Sequence, residues 1–194
     1  MQSENVALLI LDLQNDFCHK DGVYDKYGLA ALQVPSILPN IINTINIAKQ
    51  NHIPIIASQF TVLLNHKNEP LGIEHFNQTK AFLKNEGFRE NTWGHDLLEG
   101  LPSVHYKIKK WNISPFYNTE LMHLLNSLYI KTLILCGFTT NGVIETTARE
   151  AIERHFKVIT FTDCVASYSE ALHKASLSNL ASIGQILKSH EWEI

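Results

Sequence analysis

The chain has 194 residues, 45% of them hydrophobic and 18% charged, with a formal net charge of −3 at pH 7. That length suits one domain with a sizeable core, and the charge balance gives no electrostatic reason to expect a nucleic acid or an anionic membrane as partner. The three cysteines, Cys18, Cys136 and Cys164, are widely spaced and include no Cys-x-x-Cys pair, which points away from a disulfide framework and from a structural zinc site.

The elements follow in chain order. Val6 to Leu11 is a continuous apolar run that stops at Asp12. It is too short for a membrane span and has no basic segment before it, so it reads as a strand buried on both faces, and the cytoplasm is the expected location. Pro35 to Gln50 repeats Ile and Leu at helical spacing, and Ile53 to Ala57 is the second predicted strand. The stretch from 60 to 101 is long for a plain connection. Such stretches carry function or small helices of their own, and His75 to Asn85 is expected to form one. Ser103 to Lys109 is the third strand, Thr119 to Leu128 a helix, Thr132 to Gly137 the fourth strand, Thr140 to His155 its helix and Lys157 to Thr162 the fifth strand. Ser167 and Glu170 have the spacing of a capping box that opens a helix to about Ala181, and Gln185 to Lys188 is a short sixth strand. No internal repeat, low-complexity tract or linker interrupts the series. The alternation predicts one α/β domain over 1–194, Rossmann-like with three αβα layers, its parallel sheet of five to six strands joined by right-handed crossovers.

In such a sheet, ligands bind at the carboxyl ends of the strands. Asp12 follows the first strand directly, where burial would raise its pKa and suit it to acid–base work; capping of the next loop is an equally good account of it on position alone. Asp16 reads as a turn residue. Lys110 ends the third strand and would keep a neighbouring carboxylate ionised, although a solvated lysine is the plainer reading. Thr139 to Gly142 form the turn from the fourth strand into its helix, with Thr139 or Thr140 as N-cap. The free N–H groups at that helix start can hold an anion or a developing oxyanion. The turn has neither a Walker A motif nor a dinucleotide fingerprint, and no cofactor is expected. His66, His75 and His95 are scattered among polar residues and read as surface histidines. Phe17, Trp93, Trp111, Tyr117 and Phe138 are candidate walls of a small pocket, and Arg89 a candidate partner for a substrate anion.

Four blocks in order resemble the isochorismatase-like hydrolase superfamily: Leu8 to Phe17, Lys110 to Leu121, Gly137 to Ala151, and Asp163 to His173. The resemblance covers nearly the whole chain. It implies the strand order 3-2-1-4-5-6, a non-proline cis peptide between Phe138 and Thr139, a small-molecule substrate and assembly into oligomers. It also implies a triad of Asp, Lys and Cys, which maps onto Asp12, Lys110 and Val143. Valine carries no nucleophile, so the family's thioester-type amidase mechanism does not transfer. The superfamily has a branch, the isochorismatases proper, that cleaves a vinyl ether with Asp and Lys and no thiol there. Gln59, at the end of the second strand, resembles that branch and is expected to hydrogen-bond substrate or water. The nicotinamidase branch carries an Asp-x-His after that strand, which Ser58 to Lys67 lacks, so no metal is expected. The favoured reading is a hydrolase in which Asp12 is the acid or base, Lys110 orients it, and N–H groups near Thr139 and Val143 stabilise negative charge. Two readings stay open beside it: an inactive member that binds a metabolite or a protein, and an amidase with another thiol, Cys164 being the candidate.

Overall fold

A computed structural model of the chain describes residues 5–76 and 78–193. Six strands form the main sheet: β1 (Val6–Leu11), β2 (Ile55–Phe60), β3 (Tyr106–Lys110), β4 (Thr132–Phe138), β5 (Lys157–Ala166) and β6 (Gln185–Leu187). They pair in parallel in the order 3-2-1-4-5-6, as the resemblance implied. β1 and β4 lie at the centre, and every residue of both is buried, which is why their sequences are unbroken apolar runs rather than alternating ones.

Side chains alternate across the sheet and feed two cores. On one face Leu8, Ile10, Ile55, Ala57, Ile134 and Cys136 pack under the long helix α3 (Val34–Gln50), which presents Ile37, Ile41, Ile45 and Ala48. On the other face Ala7, Leu9, Leu11, Ile56, Ile108 and Leu135 meet three helices: α4 (Leu121–Ser127), α5 (Glu145–Glu153) and α6 (Glu170–Ile183). Layers of helix, sheet and helix result. Two single-turn helices, α1 (Asn15–Cys18) and α2 (Val23–Lys26), follow β1 and join Phe60, Phe82 and Phe88 in a third, aromatic cluster above the sheet.

Several elements differ from their sequence-based bounds, for local reasons. β5 runs four residues past Thr162, to Ala166, because its register with β4 shifts between Leu135 and Gly137, after which Val165 and Ala166 pair with Gly137 and Phe138. The helix expected from Thr140 begins as a π-turn (Thr140–Ile144) and becomes regular only at Glu145. Ser167 is not the cap of α6. The N-cap is Ser169, whose hydroxyl accepts from the Leu172 N–H, while the Ser167 hydroxyl donates to Asn141 Oδ1. The small helix expected at His75–Asn85 is two 3₁₀ turns, Glu74–Phe76 and Ala81–Lys84.

The 60–101 stretch is anchored by polar side chains that follow β1. The Gln14 amide donates to the carbonyls of Phe60 and His95 and accepts from the Phe60 N–H. Asn15 donates to the Trp93 carbonyl and accepts from the Glu99 N–H. Asp16, read as a turn residue, is buried, and its carboxylate accepts from the N–H groups of Val23 and Phe88. Buried, satisfied hydrogen bonds thus tie this long connection, with its aromatic cluster, to the sheet.

Candidate active site

The carboxyl end of β1 opens onto a cavity of about 110 Å³ lined by Asp12, Lys110 and Val143. Asp12 leaves the strand with a φ of 54°, a left-handed conformation that Asp adopts more readily than most residues. The turn aims its carboxyl along the sheet edge toward β2 and β3. Oδ2 lies 2.7 Å from Lys110 Nζ, and Oδ1 accepts from Ser58 Oγ at 2.6 Å. Lys110 also donates to the Asn112 carbonyl at 2.9 Å. The pair is taken out of water, Asp12 at 4% exposure and Lys110 at 1%. Burial pushes the Asp12 carboxyl above its ordinary 3.8, while the charge and hydrogen bond of Lys110 and the hydrogen bond of Ser58 pull it back. A carboxyl held in that balance can exchange a proton nearer neutrality than a solvated one.

The third corner is made by the turn after β4. Gly137 sits at a φ of 134°, and a Cβ there would come within 2.1 Å of the Leu11 carbonyl oxygen, so only glycine lets β4 lie this close to β1 at the strand end. The Phe138–Thr139 peptide is cis. Thr139 is the N-cap by position, but its side chain makes no cap hydrogen bond; its carbonyl instead accepts from the N–H groups of Gly142 and Ile144. The Thr140 hydroxyl pairs with His173 Nδ1 at 2.8 Å, which ties the turn to α6. Val143 follows, 4% exposed, with its side chain shared between the cavity and the core beneath α5.

Of the expected wall residues, Phe17 and Phe138 line the cavity. Trp111 does not; it is half-buried outside it. Trp93 and Tyr117 are 41% and 61% exposed and point away. Gln59 is a further correction. β2 extends to Phe60, so the period of two sends Ser58 and Phe60 toward the site and Gln59 to the opposite face. There its amide donates to the His95 carbonyl at 2.8 Å. Arg89, offered as an anion partner, spends its guanidinium on the carbonyls of Leu83 and Gly87. His66 and His75 are exposed as expected, but His95 is buried, with Nε2 2.8 Å from Thr61 Oγ1, and burial lowers its pKa.

The alternative thiol is also corrected. Cys164 is fully buried on the face covered by α3, 3.7 Å from Thr44 Oγ1, and Cys136 lies in the same core. Neither lines the cavity. Cys18 is half-buried outside the cavity, and burial, with Asp12 adding repulsion, raises its thiol far from the thiolate range. The cavity residues that sequence reasoning missed are Tyr24, Phe60, Phe76, Lys80, Leu83, Asn112 and Ile113. Most come from α2, from the irregular 60–101 stretch or from the loop after Lys110, where no periodicity reports which way a side chain points. Among the described residues, no three His, Cys, Asp or Glu side chains converge as a metal site would require, and no helix is long and apolar enough to cross a membrane.

The isochorismatase domain matches residues 6–191 of the chain. Among curated proteins, a probable inactive nicotinamidase of Arabidopsis thaliana, At3g16190, is 29% identical over 97% of this chain and 94% of its own length. Nicotinamidase 3 of the same plant is 28% identical over 92% of this chain and 82% of its own length. Among solved structures, a cysteine hydrolase from Pseudomonas syringae pv. phaseolicola superposes with a TM-score of 0.85 at 22% identity, covering 98% of this chain and 92% of that one. An isochorismatase-like hydrolase from Alkaliphilus metalliredigens gives 0.79 at 22% identity, covering 96% of each chain.

Proposed function

Because the chain belongs to the isochorismatase-domain family, we propose that it is a small-molecule hydrolase whose chemistry rests on Asp12 and Lys110 and needs no thiol. One observation carries the reading: a buried carboxylate–ammonium pair, 2.7 Å apart, opens onto the same cavity as Val143. Burying two charges is costly and is a poor way to gain stability. A pair kept at the wall of a cavity fits a chemical role better than a structural one.

Asp12 is the acid–base group. With its carboxyl raised by burial, it delivers a proton to a leaving atom or takes one from water, and Lys110 and Ser58, one on each oxygen, fix the orientation of the carboxyl. Lys110 supplies positive charge where negative charge builds up, with backbone N–H groups between Thr139 and Val143 as further donors. Nothing at Val143 forms a covalent bond, so hydrolysis passes through direct attack of water or protonation of substrate, not an acyl-enzyme. The protein acts as an oligomer in the cytoplasm on this reading.

A second reading is a binding protein that has lost its chemistry. Val143 favours it, as does the similarity to a plant protein described as a probable inactive nicotinamidase. A screen of small metabolites for hydrolysis, run beside Asp12→Asn, separates the two. On the hydrolase reading, Asp12→Asn lowers turnover by at least ~10² with circular dichroism unchanged. Undiminished turnover in a folded Asp12→Asn removes that residue's role, and binding without turnover across the screen establishes the second reading.

A further inference from the structure

The charges facing the cavity do not cancel. Asp12 and Lys110 neutralise each other at 2.7 Å. The remaining charged group on the lining is Lys80, and among the described residues no carboxylate pairs with it. It is half-buried at the start of the 3₁₀ turn Ala81–Lys84, with its ammonium 5.1 Å from the centroid of the Phe76 ring. Its N–H donates to the Phe76 carbonyl at 2.7 Å and its carbonyl accepts from the Leu83 N–H, so the backbone that carries it is held. The other walls are flat and apolar: Phe17, Phe60, Phe76 and Phe138, with Tyr24 beside them.

We propose that Lys80 is a specificity-determining residue that receives the anionic group of a small, ring-sized monocarboxylate bound in this cavity. The inference rests on the reading of the cavity as the ligand site. A volume of about 110 Å³, below the roughly 150 Å³ of an engineered cavity that holds benzene, limits the ligand to a single ring whose substituent projects into the open mouth. Aromatic walls suit the faces of such a ring. The lining carries a net charge of +1, from two lysines and one aspartate, so a ligand of charge −1 leaves the site neutral. An unpaired ammonium in an apolar setting is costly, and burial lowers the pKa of Lys80; a ligand carboxylate relieves both. Phe76 holds the lysine in place through its ring face until the anion arrives. Lys110 is the weaker receiver, because Asp12 already neutralises its charge and, with the Asn112 carbonyl, takes two of its three N–H donors.

The test compares two isosteric probes, benzoate and benzamide, by ligand-observed NMR titration at pH 7 of the full chain and of Lys80→Met, Lys80→Arg and Lys110→Met. The wild type binds benzoate at least ~10-fold more tightly than benzamide, a difference of about 1.4 kcal/mol. Lys80→Met brings that ratio to about one, and Lys80→Arg restores most of it, which a merely structural lysine would not do. No preference for benzoate in the wild type overturns the proposal. So does a preference that survives Lys80→Met, or one that Lys80→Met spares and Lys110→Met abolishes. Binding is read without turnover, so the outcomes are separable: a Lys80-dependent preference in a protein with no hydrolytic activity leaves this inference standing and removes the hydrolase reading, and an active, Asp12-dependent enzyme with no such preference does the reverse.

Discussion

The two sides of the cavity are built from opposite materials. On one side Asp12, Ser58 and Lys110, from the ends of three neighbouring strands, form a buried charged set tied together by hydrogen bonds. On the other side the turn from β4 into α5 presents Thr139, Gly142 and an apolar side chain, Val143, with no charged group. Both sit on the same scaffold and at the same depth. The charged side keeps a costly arrangement that packing alone would not retain, whereas the turn keeps its shape, with Gly137 against Leu11, around a side chain that cannot react. The difference teaches that a site's frame and its reactive atom are separable: the frame is held by main-chain geometry, and a single side chain decides whether covalent chemistry is possible.

The strongest way to break the charged side is Lys110→Met, which strands the Asp12 carboxylate in the interior. A loss of about 3–5 kcal/mol in urea unfolding at pH 7 is expected, and Asp12→Leu combined with Lys110→Met loses less than Lys110→Met alone. The pH dependence follows from the sign of the shift. Removing Lys110 removes the charge and hydrogen bond that lower the carboxyl, so it moves further above 3.8. The folded variant then holds a proton that the unfolded chain has released, so its stability falls as pH rises through the folded value and is best preserved in acid. The deficit against wild type is therefore larger at pH 8 than at pH 5. Equal deficits at the two pH values would mean that Asp12 is not the stranded charge.

The apolar side is sharpened by Val143→Cys. The change is small in volume, and a stability cost under about 1.5 kcal/mol is expected. If the turn is still a nucleophile's seat, the new thiol, near a helix start and across the cavity from Asp12, reacts with iodoacetamide well ahead of Cys18, Cys136 and Cys164. A mass-spectrometric time course reads this directly. A new thiol no faster than the buried native ones would show that the frame has lost its activating geometry, and would favour the binding-protein reading.

The smallest expected effect is none. Iodoacetamide treatment of the wild type leaves any hydrolytic activity unchanged, because the three native thiols lie outside the cavity. Activity lost in step with labelling of Cys18, the half-buried one, would contradict the thiol-free reading.

Apolar runs at Val6–Leu11 and Thr132–Gly137, alternating with helical periodicity, were enough by themselves to dictate a parallel sheet between helices. They also placed Asp12, Lys110 and Val143 at the ends of elements, because hydrophobic period is a local property of the chain. The four matching blocks added the strand order. What only the tertiary structure decided are facts of facing. Gln59 ends an apolar run yet turns from the site, because the strand goes on one residue to Phe60 and the period of two reverses its side. Ser58 reaches Asp12 for the same reason. Cys164 is near Val143 in strand order but lies on the face beneath α3. Lys80 and Phe76 come from a stretch with no periodicity, positioned by Gln14, Asn15 and Asp16, whose partners lie about 70 to 80 residues away in the chain and leave no local trace in it. Local patterning sets which elements form; the direction of each side chain at their ends is settled by register and by long-range hydrogen bonds that exist only once the layers have closed.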